Sequence, residues 1–171
     1  KQEGLADKIE PRLGDGLLPV KPGEVDTIVI AGMGGMLIKS ILESAPYVTA
    51  RAETFVLQPM TAQSMLRKWL NENGYAIVDE ILVREGSRFY EIITAAHGSQ
   101  YISDEIYYDI SYMLIKKKDP LLKDFIRHKI ERTTDIILHL EKQDTKNSEY
   151  AAREFRRKLL QYKEVYRWVF R

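Results

Sequence analysis

The hydrophobic positions of the chain fall into two regimes. Up to about residue 98, short apolar runs alternate with amphipathic stretches. Thr27–Ala31 (TIVIA) is apolar and β-branched, the mark of a parallel strand covered on both faces. Met36–Leu42 has helical spacing and Pro46 lies just past its end. Thr54–Leu57 reads as a second buried strand ending at Gln58-Pro59. Thr61 is placed to cap a helix over AQSMLRKWLNEN that stops near Gly74. Tyr75–Val83 and Arg88–Ala96 read as two strands joined by a hairpin turn. Further upstream, residues 1–9 read as the end of a helix leading into a short strand around Pro11–Leu13, followed by a turn at Gly14-Asp15-Gly16.

From about residue 104 the strand signals fade. Asp119-Pro120 marks a helix start. Ile126, Ile130, Thr133, Ile137 and Leu140 then recur at heptad-like spacing. After the polar break QDTKNSE, Ala152, Phe155, Leu159, Tyr162, Tyr166 and Val169 do the same. Two such stripes joined by a short polar loop predict an antiparallel helical hairpin. The expected organisation is an α/β unit with a mostly parallel sheet over residues 1–103 and a helical, coiled-coil-like unit over 104–171.

Composition narrows the function classes. The chain has 171 residues, 44% hydrophobic, enough for a real core. It contains no cysteine, which excludes disulfides, thiolate zinc sites and a cysteine nucleophile. No apolar run approaches the roughly 20 residues of a membrane span. The net charge of +1 hides an asymmetry. Residues 1–98 carry 10 basic and 13 acidic side chains, residues 99–171 carry 16 and 12. A basic half on an acidic half suits a polyanionic partner, although it equally describes a solvated helical surface.

The chemistry concentrates in three turns. Gly32, Gly34 and Gly35 follow the first buried strand, but the dinucleotide-binding pattern fails because Leu37 occupies its third glycine position and Glu53 precedes its strand. A phosphate-binding P-loop also lacks its Gly-Lys-Ser/Thr. Glycines at the carboxyl end of a parallel strand let a flat group such as a nucleobase approach the backbone; alternatively they serve close strand–helix packing. Asp15 offers a carboxylate to an adenine amino group or a ribose, or else closes an Asx-turn. Gln58 offers a donor and an acceptor beside Pro59. If the hairpin's first strand is parallel to the others, Arg84, Glu85, Arg88 and Tyr90 reach the same edge, where two arginines and an aromatic suit a phosphate and a base.

With RLGDGL, VDTIVIAGMGG, LQPM and GSRFYEI in this order, the chain resembles the bacterial tRNA methyltransferases that methylate N1 of adenine 22 using S-adenosylmethionine. The resemblance implies a Rossmann-like class I methyltransferase sheet with a C-terminal helical hairpin, acting on tRNA in the cytoplasm. It implies that Asp15 and Gly16 border the adenosine of the cofactor, with Ala31, Gly32 and Met33 beside them. Gly34, Gly35, Gln58 and Pro59 would face the target base, with Arg84, Arg88 and Tyr90 adjoining. Related nucleobase methyltransferases carry an Asn/Asp-Pro-Pro-aromatic motif at the position of Ala31–Gly35; this chain does not, so base-holding would fall to backbone groups and neighbours. The family's first strand and its cofactor-binding glycine turn have no match here. The expectation is an N-terminally truncated chain that binds S-adenosylmethionine weakly or not at all and is itself inactive. On the helical hairpin, Arg153, Arg156 and Arg157 are the leading tRNA-phosphate candidates, with Arg127, Lys129, Arg132 and Lys158 nearby. Adenine N1 attack needs neither a metal nor a cysteine, which leaves His97, His128 and His139 without a role. Two other readings stay open: a nicotinamide-dependent oxidoreductase fragment, and a non-enzymatic helical interaction module.

Overall fold

The computed structural model describes residues 8–143 and 145–171. Its sheet has four strands: β1 (Thr27–Gly34), β2 (Thr54–Thr61), β3 (Tyr75–Glu85) and β4 (Arg88–His97), in spatial order β1-β2-β4-β3. β1 and β2 are parallel, while β4 is antiparallel to both β2 and β3. β1, β2 and β3 therefore point the same way, and the β3–β4 turn lies at the edge where β1 and β2 end. That turn is the two-residue Gly86-Ser87, closed by the Glu85–Arg88 pair, with Gly86 at φ +57°.

Alternation along the strands sets one buried face. Ile28, Ile30, Phe55, Leu57, Ile93 and Ala95 all point to it. Helices α1 (Gly35–Ser44), α2 (Pro46–Thr49) and α3 (Gln63–Glu72) cover this face. Ile38 and Leu42 of α1, and Leu66 and Leu70 of α3, lie four residues apart and are fully buried, the i, i+4 stripe that a helix lays on a sheet.

A second core continues along the same face. It joins Leu82 and Phe89 of the β3–β4 hairpin to α4 (Ile106–Asp109), α5 (Tyr112–Lys117), α6 (Leu122–Glu141) and α7 (Lys146–Val169). α6 and α7 form an antiparallel pair. Ile126, Thr133 and Ile137 face Ala152 and Tyr162 along the seam, and Arg156 of α7 pairs with Glu141 at the end of α6. A capping box between Thr145 and Ser148 starts α7.

Several sequence expectations change. Pro11–Leu13 form no strand. Leu13 is fully exposed, and Arg12 instead binds Glu10, Glu24 and the Pro19 carbonyl. The helix end expected at residues 1–9 falls largely outside the described residues. β1 is covered on one face only: Val29 is 66% exposed, as are Val78, Ile81 and Val83 of β3 to lesser degrees. An all-apolar run does not distinguish one covered face from two. Thr61 belongs to β2 and caps nothing; α3 starts from Ala62, which takes a left-handed conformation at φ 54°. Asp119 stands three residues before α6 and accepts the Leu121 N–H at 2.8 Å, closing the turn that leads into the helix.

Candidate active site and adjoining basic cleft

The ends of β1 and β2 form a shared rim. The regular ladder runs to Ala31 and Gln58, then slips so that Met33 faces Pro59 and Gly34 faces Thr61. In that slip Gly32 takes φ +76°, a conformation that favours glycine. Its N–H is freed from the ladder and donates to Gln58 Oε1 at 2.9 Å. Among the described residues Gln58 Nε2 faces only the Met60 sulfur, at 3.4 Å, a weak acceptor. The rim thus presents an amide donor, strand-end carbonyls and open space: apart from its chain neighbours, nothing among the described residues lies within 4 Å of where a Gly32 side chain would begin.

The glycines divide by role in the packing. A Cβ on Gly35 would stand 2.7 Å from the Ala62 carbonyl oxygen, so this residue lets α1 start directly against the β2–α3 junction. A Cβ on Gly34 would meet Thr61 Oγ1 at 3.1 Å. Gly32 alone of the three faces open space.

Asp15 and Gly16 occupy an exposed turn, with Gly16 at φ +53°. This turn is seated on α1, where a Gly16 Cβ would lie 3.0 Å from Ile41. Among the described residues no hydrogen bond joins it to the rim. The structure therefore brings Ala31, Gly32, Met33, Gln58 and Pro59 together, and leaves Asp15 and Gly16 on the helix beside them.

The hairpin residues separate as well. Arg84 turns onto α6, with its guanidinium 3.6 Å from Asp124 and 5.5 Å from the centre of the Phe89 ring. Arg88 and Tyr90 instead line a cleft of about 620 Å³ between the rim and α6. Pro59, Met60 and Gln63 form one wall. Phe125, His128, Lys129 and Arg132, spaced 3, 4 and 7 along α6, form the opposite wall. Tyr90 is held by a 3.0 Å hydrogen bond from its hydroxyl to Glu85.

Beneath this cleft lies a buried charge cluster. Arg67 of α3 donates to Glu80 of β3 and to Glu91 of β4, and its third nitrogen donates to the Tyr108 carbonyl at 2.9 Å. All three charged side chains are almost fully buried. Burial alone would push the Glu91 carboxyl up, but the Arg67 and Lys129 charges outweigh it and hold the group below the usual carboxylate range. Lys129 stands 4.0 Å from Glu91 and 4.7 Å from the centre of the Phe125 ring. Glu80 Oε2 has no partner among the described residues.

On α7, Arg153, Arg156 and Arg157 are exposed, and each lies beside a carboxylate: Glu149, Glu141 and Glu154 respectively. The sequence alone leaves His128 without a role and does not single out Gln63, Arg67 or Glu91. The helical periodicity of Phe125, His128, Lys129 and Arg132 was the available signal for the cleft; nothing local announced the buried cluster. No helix among the described residues is long and apolar enough to cross a membrane.

Comparison with known proteins places this arrangement. The family model TrmK, tRNA (adenine(22)-N(1))-methyltransferase, matches residues 1–164. A curated tRNA (adenine(22)-N(1))-methyltransferase of Bacillus subtilis is 40% identical over 100 residues, covering 58% of this chain and 42% of its own length. The chain thus spans less than half of that curated relative. The crystal structure of the B. subtilis m1A22 tRNA methyltransferase TrmK superposes with a TM-score of 0.78 at 31% identity, over 91% of this chain and 69% of that one. Streptococcus pneumoniae Sp1610 in complex with S-adenosyl-L-methionine gives a TM-score of 0.76 at 29% identity, over 91% and 67%.

Proposed function

Because this chain belongs to the tRNA (adenine(22)-N(1))-methyltransferase family, we propose that it serves the transfer of a methyl group from S-adenosylmethionine to N1 of adenine 22 in tRNA. The observation that carries this reading is the Gly32–Gln58 bond, which ties two strand ends together at a rim left open over Gly32, where a flat base can approach the backbone. S-adenosylmethionine, when bound, supplies the methyl group as a sulfonium-activated electrophile. Its binding to Streptococcus pneumoniae Sp1610 supports its assignment here.

The residues present fit such a group at the rim. The open space over Gly32 admits a planar ring that any side chain would obstruct. We assign Ala31, Gly32 and Met33 to the cofactor side, with Asp15 and Gly16 at its far end. Gly34, Gln58 and Pro59 go to the base side, where Gly35 sets the approach of α1. The neutral adenine carries a lone pair on N1, so no residue has to remove a proton before attack. The task left to the protein is alignment and extrusion of the base. Gln58 Nε2, facing only a sulfur among the described residues, remains a donor for a base acceptor, and the strand-end carbonyls accept from the adenine amino group. We assign methyl transfer to the sheet unit, residues 1–103, and tRNA holding to the helical unit, residues 104–171. The cytoplasm is the compartment in which such a protein meets its tRNA.

The test uses the protein at its full natural length with labelled S-adenosylmethionine and an unmodified tRNA transcript. Incorporation is expected into the wild-type transcript and lost when adenine 22 is replaced by guanine. Equal incorporation into both transcripts would contradict the position, and none into either would contradict the activity.

A further inference from the structure

We infer that the cleft between the β3–β4 hairpin and α6 is an RNA subsite that takes a nucleotide flanking the target adenine. Its phosphodiester is held by Arg88 and Arg132, and its base lies against Tyr90. The inference rests on the reading of the protein as a tRNA methyltransferase, but it concerns a different part of the molecule from the rim.

Four observations support it. The cleft measures about 620 Å³, within the size range of small-ligand sites. It begins at Pro59 and Met60, so it opens directly beside the proposed base slot. Two of its basic side chains, Arg88 and Arg132, are free in a way that those of α7 are not. Among the described residues neither Arg88 nor Arg132 makes an ion pair, whereas Arg153, Arg156 and Arg157 each face a carboxylate. The one acid lining the cleft, Glu91, is neutralised from behind by Arg67 and from the side by Lys129, so it does not repel a phosphate.

The aromatic content separates this site from a plain anion patch. Tyr90 is pinned by its bond to Glu85 and offers a fixed ring to a splayed base. Phe89 is already occupied, in contact with Phe125 and His128 at centroid distances of 5.7 and 5.4 Å, and supports the wall. Base extrusion requires a grip on the strand next to the extruded nucleotide. A phosphate clamp and an aromatic face one step from the slot meet that need. Next to the target adenine the tRNA track therefore runs over the hairpin and α6.

The experiment measures binding of unmodified tRNA by fluorescence anisotropy across a salt series, with the protein at its full natural length. Wild type is compared with the double variant R88Q/R132Q, its charge-retaining form R88K/R132K, the variant Y90L and the α7 variant R153Q/R156Q. R88Q/R132Q is expected to reduce the slope of log affinity against log salt by about 1.5, near the value for two lost phosphate contacts. R88K/R132K should keep the wild-type slope. Y90L should weaken binding about tenfold with the slope unchanged, and R153Q/R156Q, whose arginines already face carboxylates, should reduce the slope by less than R88Q/R132Q does. If wild type binds and methylates tRNA while R88Q/R132Q shows the same affinity and slope, the subsite is wrong and the methyltransferase reading stands. A slope change confined to R153Q/R156Q likewise overturns the subsite. Wild-type protein that neither binds nor methylates tRNA overturns both.

Discussion

The Gly32 N–H donates to Gln58 Oε1 at 2.9 Å, tying together the ends of two parallel strands 26 residues apart in sequence. The bond exists because β1 slips out of register after Ala31, which turns the Gly32 amide away from the ladder. Three residues on, Gly35 meets the Ala62 carbonyl closely enough that no side chain fits.

These two glycines should respond differently to alanine. Gly32→Ala forces a side chain into positive φ without a clash and should cost about 1–2 kcal/mol. Gly35→Ala overpacks a rigid backbone contact and should cost about 3 kcal/mol. Urea unfolding measures both; under the proposed function, methyl transfer by the protein at full natural length should fall further in Gly32→Ala than its stability loss explains.

Arg67 is the only cation that reaches both Glu80 and Glu91 among the described residues. Arg67→Met leaves two carboxylates buried and should destabilise the fold by about 3–5 kcal/mol. The triple change R67M/E80L/E91L removes the whole cluster and should recover most of that loss in chemical denaturation.

Acid should weaken the fold through particular carboxylates. Glu91 is depressed below its ordinary 4.5 by Arg67 and Lys129 against the cost of burial. Glu24 is lowered to about 2, first by Arg12 and then by the Lys21 N–H. A depressed carboxyl adds stability that is complete above its unfolded value and lost as pH falls through its folded one. Unfolding midpoints should therefore hold steady down to about pH 4.5 and drop below it. The variant E91Q should show a shallower drop.

The capping box at the start of α7 anchors the helical hairpin. Thr145→Ala removes the acceptor for the Ser148 N–H and should cost about 1 kcal/mol, read as a lowered thermal midpoint.

The parts of this structure legible in the sequence were those written in local periodicity. The buried stripe of β2, the β3–β4 hairpin and the seam from Ile126 to Val169 all repeat at the spacing their elements require. The single-sided burial of β1 was not legible, because Val29 and Ile30 look alike until the sheet's neighbours are known. Pro11–Leu13 carried a strand pattern too short to outweigh the Arg12 ion pairs. Arg67, Glu80 and Glu91 each read as surface charge, since their partners come from different elements. Gln58 is legible because its strand lies next to β1; the Asp15-Gly16 turn is seated on α1, and residues 8–14 before it form no strand that carries it to the rim.

If the Gly32–Gln58 rim is where the methyl group is delivered, loss of the Gln58 amide should disable chemistry without unfolding the protein. Mass-spectrometric mapping of labelled tRNA, after single-turnover reaction with wild-type and Gln58→Leu protein at full natural length, decides this. Label confined to N1 of one adenine, with a rate about 100-fold lower in Gln58→Leu and an unchanged unfolding midpoint, is the expected result. An undiminished rate in Gln58→Leu would place methyl transfer elsewhere in the molecule.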